Sequence, residues 1–182
     1  MRCRENTAQA QAQFEAALRL APNDSLANLL AAEFFFDRGD VDFAQQLLNA
    51  ESLKHWEDDR LWFLQCRIAE QSGQVQKAYA FLQNALERRA HDENYVLMQA
   101  SLLRRLGRIE ESRSAAMSAT QLAEVRKHLV VLASQFDREH PSAELCLEIA
   151  DHLQRWGQPE QADAWRRVSQ LIQPVQSSSI MP

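Results

Sequence analysis

Three of the four glycines in this 182-residue chain, Gly39, Gly73 and Gly107, stand 34 residues apart. A fixed spacing of that size marks a chain built from repeated supersecondary units. Fixed offsets from each glycine, with Gly157 added, test the idea. Seven residues before lie Ala32, Cys66, Ala100 and Ala150; five after lie Ala44, Ala78, Ser112 and Ala162. All eight are small. Two antiparallel helices approach closely only where their facing side chains are small, so each unit carries one such residue on each helix. Four before each glycine come Phe35, Ala69, Leu103 and Leu153, mostly bulky, which fill the space beside the small pair. The glycine closes the first helix, where the chain turns through a left-handed conformation. Each unit is therefore a helix, a glycine turn and a second helix.

Composition agrees. Only 4 glycines and 5 prolines occur, too few for the tight turns of an all-β fold. Alanine, leucine, glutamine, glutamate and arginine dominate, and these are strong helix formers. Asp24-Ser25, Asp58-Asp59 and Asp92 precede the expected helices as N-caps.

The N-terminal segment fits the second half of one unit. Ala10, Phe14, Ala17 and Pro22 form a small-x3-aromatic-x2-small-x4-Pro run, and Pro174 stands in the same phase after Gly157. With the period of 34, these residues resemble the tetratricopeptide (TPR) family over roughly residues 8–174. The resemblance implies an all-α fold: a right-handed superhelix, or solenoid, of antiparallel helix-turn-helix TPR-like repeats. A repeat domain over 1–174 would comprise a partial first repeat 6–22, repeats at about 25–58, 59–92 and 93–124, a helical extension at about 121–138, and a last repeat at about 142–174. Residues 175–182, rich in serine, are expected to form a disordered tail.

The pattern departs from the family twice. The opening unit lacks its first helix, which fits either a fragment boundary or a lone capping helix. The interval from Gly107 to Gly157 is one period plus 16 residues. The added stretch places Leu122, Val125, Leu129, Leu132 and Phe136 at helical-seam spacing, with no Gly or Pro between 108 and 140. One long helix from about Ile109 to Phe136 is the favoured reading, and a degenerate extra repeat the other. The 109–136 seam also offers a surface for a homo-oligomer.

Several function classes recede. The formal net charge of −5 disfavours broad electrostatic binding to nucleic acid or anionic lipid. No apolar run approaches the roughly 20 residues of a membrane span, and the N-terminus has no apolar signal core. Cys3, Cys66 and Cys146 are scattered, which suits reduced thiols and a cytoplasmic setting. There is no phosphate-binding glycine loop, no nucleophile motif and no clustered metal ligands, so no catalytic, cofactor or metal site and no enzyme is expected. The five histidines share no i, i+4 pairing, and Glu124 with His128 reads as a solvated helix face. Cys66, Cys146, Trp62, Trp156 and Trp165 read as packing residues, while Trp56 lacks an explanation.

The resemblance further implies that the first helix of each unit lines a concave groove. Residues ten before each glycine are Leu29, Phe63, Leu97 and Leu147; six before, Glu33, Arg67, Ser101 and Asp151; three before, Phe36, Glu70, Arg104 and Gln154. The candidate partner groove is Leu29, Glu33, Phe36, Arg60, Phe63, Arg67, Leu97, Ser101 and Arg104. It is an apolar row flanked by charges, suited to a protein or peptide with apolar anchors and acidic residues. It lacks the Lys/Asn set of the family's carboxylate-clamp members. The blander reading is that the apolar row completes the core. The function implied is a protein–protein interaction module, a TPR scaffold or adaptor. A structural TPR segment of a larger multidomain protein is the alternative. An RNA-binding helical repeat is disfavoured, because such repeats run a residue longer and carry basic grooves.

Overall fold

Each of the four glycines adopts positive φ, from 72° at Gly157 to 88° at Gly39, and each ends a helix. The same pair of hydrogen bonds closes all four turns. The Gly39 amide donates to the Phe36 carbonyl and the Asp40 amide to the Phe35 carbonyl, both at 2.9 Å. Gly73 with Gln74, Gly107 with Arg108, and Gly157 with Gln158 repeat the arrangement. Carbonyls left over at a helix end are thereby satisfied locally.

The structure, a computed structural model, describes residues 2–136 and 142–172, with only the backbone considered for 2–7. The described residues form α1 (Arg2–Leu20), α2 (Ser25–Asp37), α3 (Val41–Leu48), α4 (Asp59–Gln71), α5 (Val75–Arg88), α6 (Glu93–Arg105), α7 (Ile109–Gln135), α8 (Ala143–Arg155) and α9 (Pro159–Ile172), and no strand. Asp24, Asp58, Asp92 and Ser142 cap their helices by accepting backbone amides. The expected tail 175–182, Pro174, His140 and residues 137–138 of the expected extension lie outside the described residues. The chain divides into two compact units, 1–89 with 101–109 and 90–100 with 110–182.

In the first unit the small pairs meet as their spacing requires. Ala32, Ala44, Cys66 and Ala78 are completely buried. Around Ala32 and Ala44 pack Leu29, Phe35, Leu48, Leu53, Leu61 and Leu64, with Phe14 and Leu18 of α1 laid against the cluster. Burying one such leucine contributes about 1.5–3 kcal/mol. The rings of Phe14 and Phe34 lie 4.9 Å apart, and Phe43 meets Phe35 edge-on at 4.6 Å. Asn28 is a buried polar residue that donates to the carbonyls of Pro22 and Asp24, both at 2.8 Å, and so pins the α1–α2 turn. α3 is short, and a 3-10 turn over Glu51–Leu53 follows it and buries Leu53. Trp56 packs against the same cluster, and Trp62 stacks on Phe81 of α5.

In the second unit α7 runs unbroken for 27 residues. Its Leu122, Leu129 and Leu132 are buried, whereas Val125 and Phe136 are half-buried and Phe136 falls just past the helix. Leu129 and Leu132 form a core with Ile149, Ala150 and Leu153 of α8 and Ala162 of α9. Phe136 meets Trp165 edge-on at 5.1 Å. Ser112 occupies the one small-residue position not filled by alanine or cysteine. Its hydroxyl donates to the Ala100 carbonyl at 2.7 Å, which satisfies the polar atom at the close approach.

Candidate partner-binding face

Helical spacing sets Glu33 and Phe36 on one side of α2, and Arg60, Phe63 and Arg67 on one side of α4. Phe36, Phe63 and both arginines are half-buried. The Arg67 guanidinium lies 4.5 Å from the centre of the Phe36 ring and donates to Asp37 at 2.9 Å. It therefore joins the two helices by a cation–π contact and an ion pair at once. Ser101 and Arg104 lie near the end of α6, where Arg105 reaches Glu70 of α4 at 2.8 Å. Leu97 belongs to the second unit, where its side chain is exposed.

Leu29 is a correction. It is completely buried, in the cluster with Leu61 and Leu64, and cannot touch a partner. The physical reason is that α2, Ser-Leu-Ala-Asn-Leu-Leu-Ala-Ala-Glu-Phe-Phe-Phe-Asp, is apolar around most of its circumference. A helix of that kind is covered on several sides. The offset that leaves Phe63 half-exposed on amphipathic α4 therefore lands inside the core on α2.

Electrostatics bind the face together. Arg60 chelates Asp58 through Nε at 3.3 Å and Nη2 at 3.2 Å, while Asp58 also caps α4 by accepting the Arg60 amide. Burial pushes the Asp58 carboxyl up, but the bonds from Arg60 and from Trp56 outweigh it and hold it below its ordinary value. That bond gives Trp56 a second role beyond packing. The Asp58 contact holds Arg60 above the usual arginine range. Glu33 moves the other way: burial raises its carboxyl, and Arg60 offsets only part of the effect. Partly exposed ion pairs of this kind are worth about 0–1 kcal/mol each, so an incoming carboxylate can compete for the arginines.

Sequence offsets did not reveal that Asp37 and Asp58 engage those arginines. A signal was present, since Arg67 follows Asp37 by 30 residues and Arg89 follows Asp59 by the same interval, close to one period. Among the described residues no group of three or more His, Cys, Asp or Glu side chains could hold a metal ion. Burial pushes the Cys66 thiol up to about 12, which leaves it a packing group at neutral pH. No helix is long and apolar enough to cross a membrane among the described residues.

No protein-family model matches the sequence, and neither does any curated protein. Solved structures do match. A crystal structure of MamA superposes with a TM-score of 0.58 at 12% identity, covering 94% of this chain and 91% of that one. A second MamA structure gives 0.56 at 16%, covering 92% and 89%. YrrB, described as a TPR protein with an unusual peptide-binding site, gives 0.55 at 17%, covering 94% and 80%. The chain has the TPR fold. Its four glycine turns follow α2, α4, α6 and α8 and lead into α3, α5, α7 and α9. The elongated α7 is this chain's departure from a regular TPR array.

Proposed function

We propose that this chain is a protein-interaction module, a TPR scaffold or adaptor that works without catalysis and holds a protein or peptide partner. The observation that carries the proposal is the half-buried pair Phe63 and Arg67 on one face of α4, beside Phe36 on a TPR fold. YrrB, a neighbour of the same fold, has a peptide-binding site. Phe63 and Phe36 supply apolar anchors, and Arg60, Arg67 and Arg104 favour acidic residues on the partner. Glu33 and Ser101 flank them. A cytoplasmic setting suits the buried free thiols Cys66 and Cys146.

The test is affinity capture with the purified chain, identification of the partner by mass spectrometry, and titration of that partner. The Phe63→Ala/Arg67→Glu double variant should lose at least ~2 kcal/mol of binding, about thirtyfold in Kd. Its melting temperature should change less than that of a core variant. A partner that binds the double variant as tightly as the parent overturns the assignment of this face.

A further inference from the structure

The chain breaks its 34-residue rhythm once, between Gly107 and Gly157, and the result is the length of α7. α5 and α9 each end 15 residues after their glycines, at Arg88 and Ile172, whereas α7 continues to Gln135. α8 accordingly finds its core partners far along α7, at Leu129 and Leu132. Upstream of that contact a cavity of about 480 Å³ is left open. Small-molecule pockets commonly span about 300–1,000 Å³.

The lining of this cavity is chemically divided. Val96, Leu122 and Val125 give it apolar lining. His91, Arg155, Gln121 and Ser118 supply the polar part of its lining. The Ser118 hydroxyl already donates to the Ser114 carbonyl, while Gln121 brings a side-chain amide donor to the lining. Elsewhere Arg60, Arg67, Arg105 and Arg126 each hold a carboxylate of this chain. The Arg155 guanidinium makes no ion pair or hydrogen bond among the described residues. In a chain of formal charge −5, a guanidinium left without a carboxylate in the lining of a cavity that is part apolar and part polar is complementary to an anion brought from outside.

We infer that this cavity binds a small carboxylate with a branched or aromatic apolar body. Arg155 takes the carboxylate, Gln121 adds an amide donor, and the body lies on Val96, Leu122 and Val125. A guanidinium fork matches a planar carboxylate with two parallel bonds. A phosphate dianion suits the cavity less, since one guanidinium would leave part of its charge uncompensated beside Val96, Leu122 and Val125.

The experiment is amide proton–nitrogen correlation spectroscopy on the 182-residue chain. The probes are sodium isocaproate and sodium phenylacetate, each beside its primary amide, with inorganic phosphate as a further arm. Saturable shifts at Val96, Gln121 and Val125 are expected with at least one acid. Binding should be at least ~10-fold weaker for its amide, for phosphate and for Arg155→Gln. Val125→Phe, which fills the cavity, should abolish the shifts while the rest of the spectrum keeps its dispersion. The assignment is overturned if neither acid gives saturable shifts at these residues. It is equally overturned if amide, phosphate or Arg155→Gln matches the acid in affinity.

Discussion

The imidazole of His91 occupies the space that a Cβ at Gly157 would need, so that an ideal Cβ there would clash with its Nδ1 and Cγ atoms. Among the described residues no such obstacle stands at Gly39, Gly73 or Gly107. Four turns of one backbone conformation thus differ in what surrounds them.

Gly73→Ala should therefore lose about 1–2 kcal/mol, the cost of holding an L-residue in left-handed conformation. Gly157→Ala should lose measurably more, because it must also expel His91. Urea denaturation of the two variants, compared at equal m-value, checks the difference. Equal losses would show that His91 moves aside freely.

Ala78 is completely buried where α5 meets α4. Ala78→Leu inserts three carbons into a filled space and should destabilise the chain by about 1–3 kcal/mol. Ser112→Ala keeps the small size but deletes the bond to the Ala100 carbonyl, for a loss of about 0.5–1.5 kcal/mol. Thermal melts of both variants read the two mechanisms separately.

Leu129 is buried against α8. Leu129→Asp places an unpaired charge in that core, and destabilisation of about 3 kcal/mol or more is expected. Hydrogen exchange should show α8 and α9 losing protection. Unchanged exchange would contradict the packing of α7 on α8.

Glu33 provides a test in pH. Burial raises its carboxyl above the ordinary 4.5. The folded state then binds this proton more tightly than the unfolded state does. The contribution to stability is fully present below the ordinary value and is lost as pH rises through the raised one. Glu33→Gln should raise the melting temperature at neutral pH, and the gain should shrink in acid. A gain that persists unchanged in acid would mean that burial of the charge is not its source.

Much of this architecture was legible because glycine spacing and small-residue offsets report backbone geometry, which repeats with the sequence. The turns at all four glycines, the Ala32/Ala44 and Cys66/Ala78 approaches, and the unbroken α7 follow from that logic. Leu29 was misjudged because an offset names a side of a helix but not what covers it, and α2 is covered on more than one. The Arg67–Asp37 pair left only its near-period interval of 30 residues, while the Arg60–Asp58 chelate, the 3-10 turn after α3 and the Asn28 bonds depend on local side-chain and loop geometry that glycine and small-residue offsets do not encode. The α7 cavity was equally hidden, since its walls come from separate helices and a loop.

The locally closed turns also bear on how the chain reaches its native state. The α4–α5 and α8–α9 hairpins each bring together partners only about a dozen residues apart, with the turn bonded to itself and a small pair at the crossing. Little loop entropy is lost in closing either one, so assembly can begin at more than one hairpin. Helical chains dominated by such short-range contacts reach the native state within microseconds to milliseconds. Slowing should then trace to the stretch where α8 must find Leu129 and Leu132 on the far half of α7.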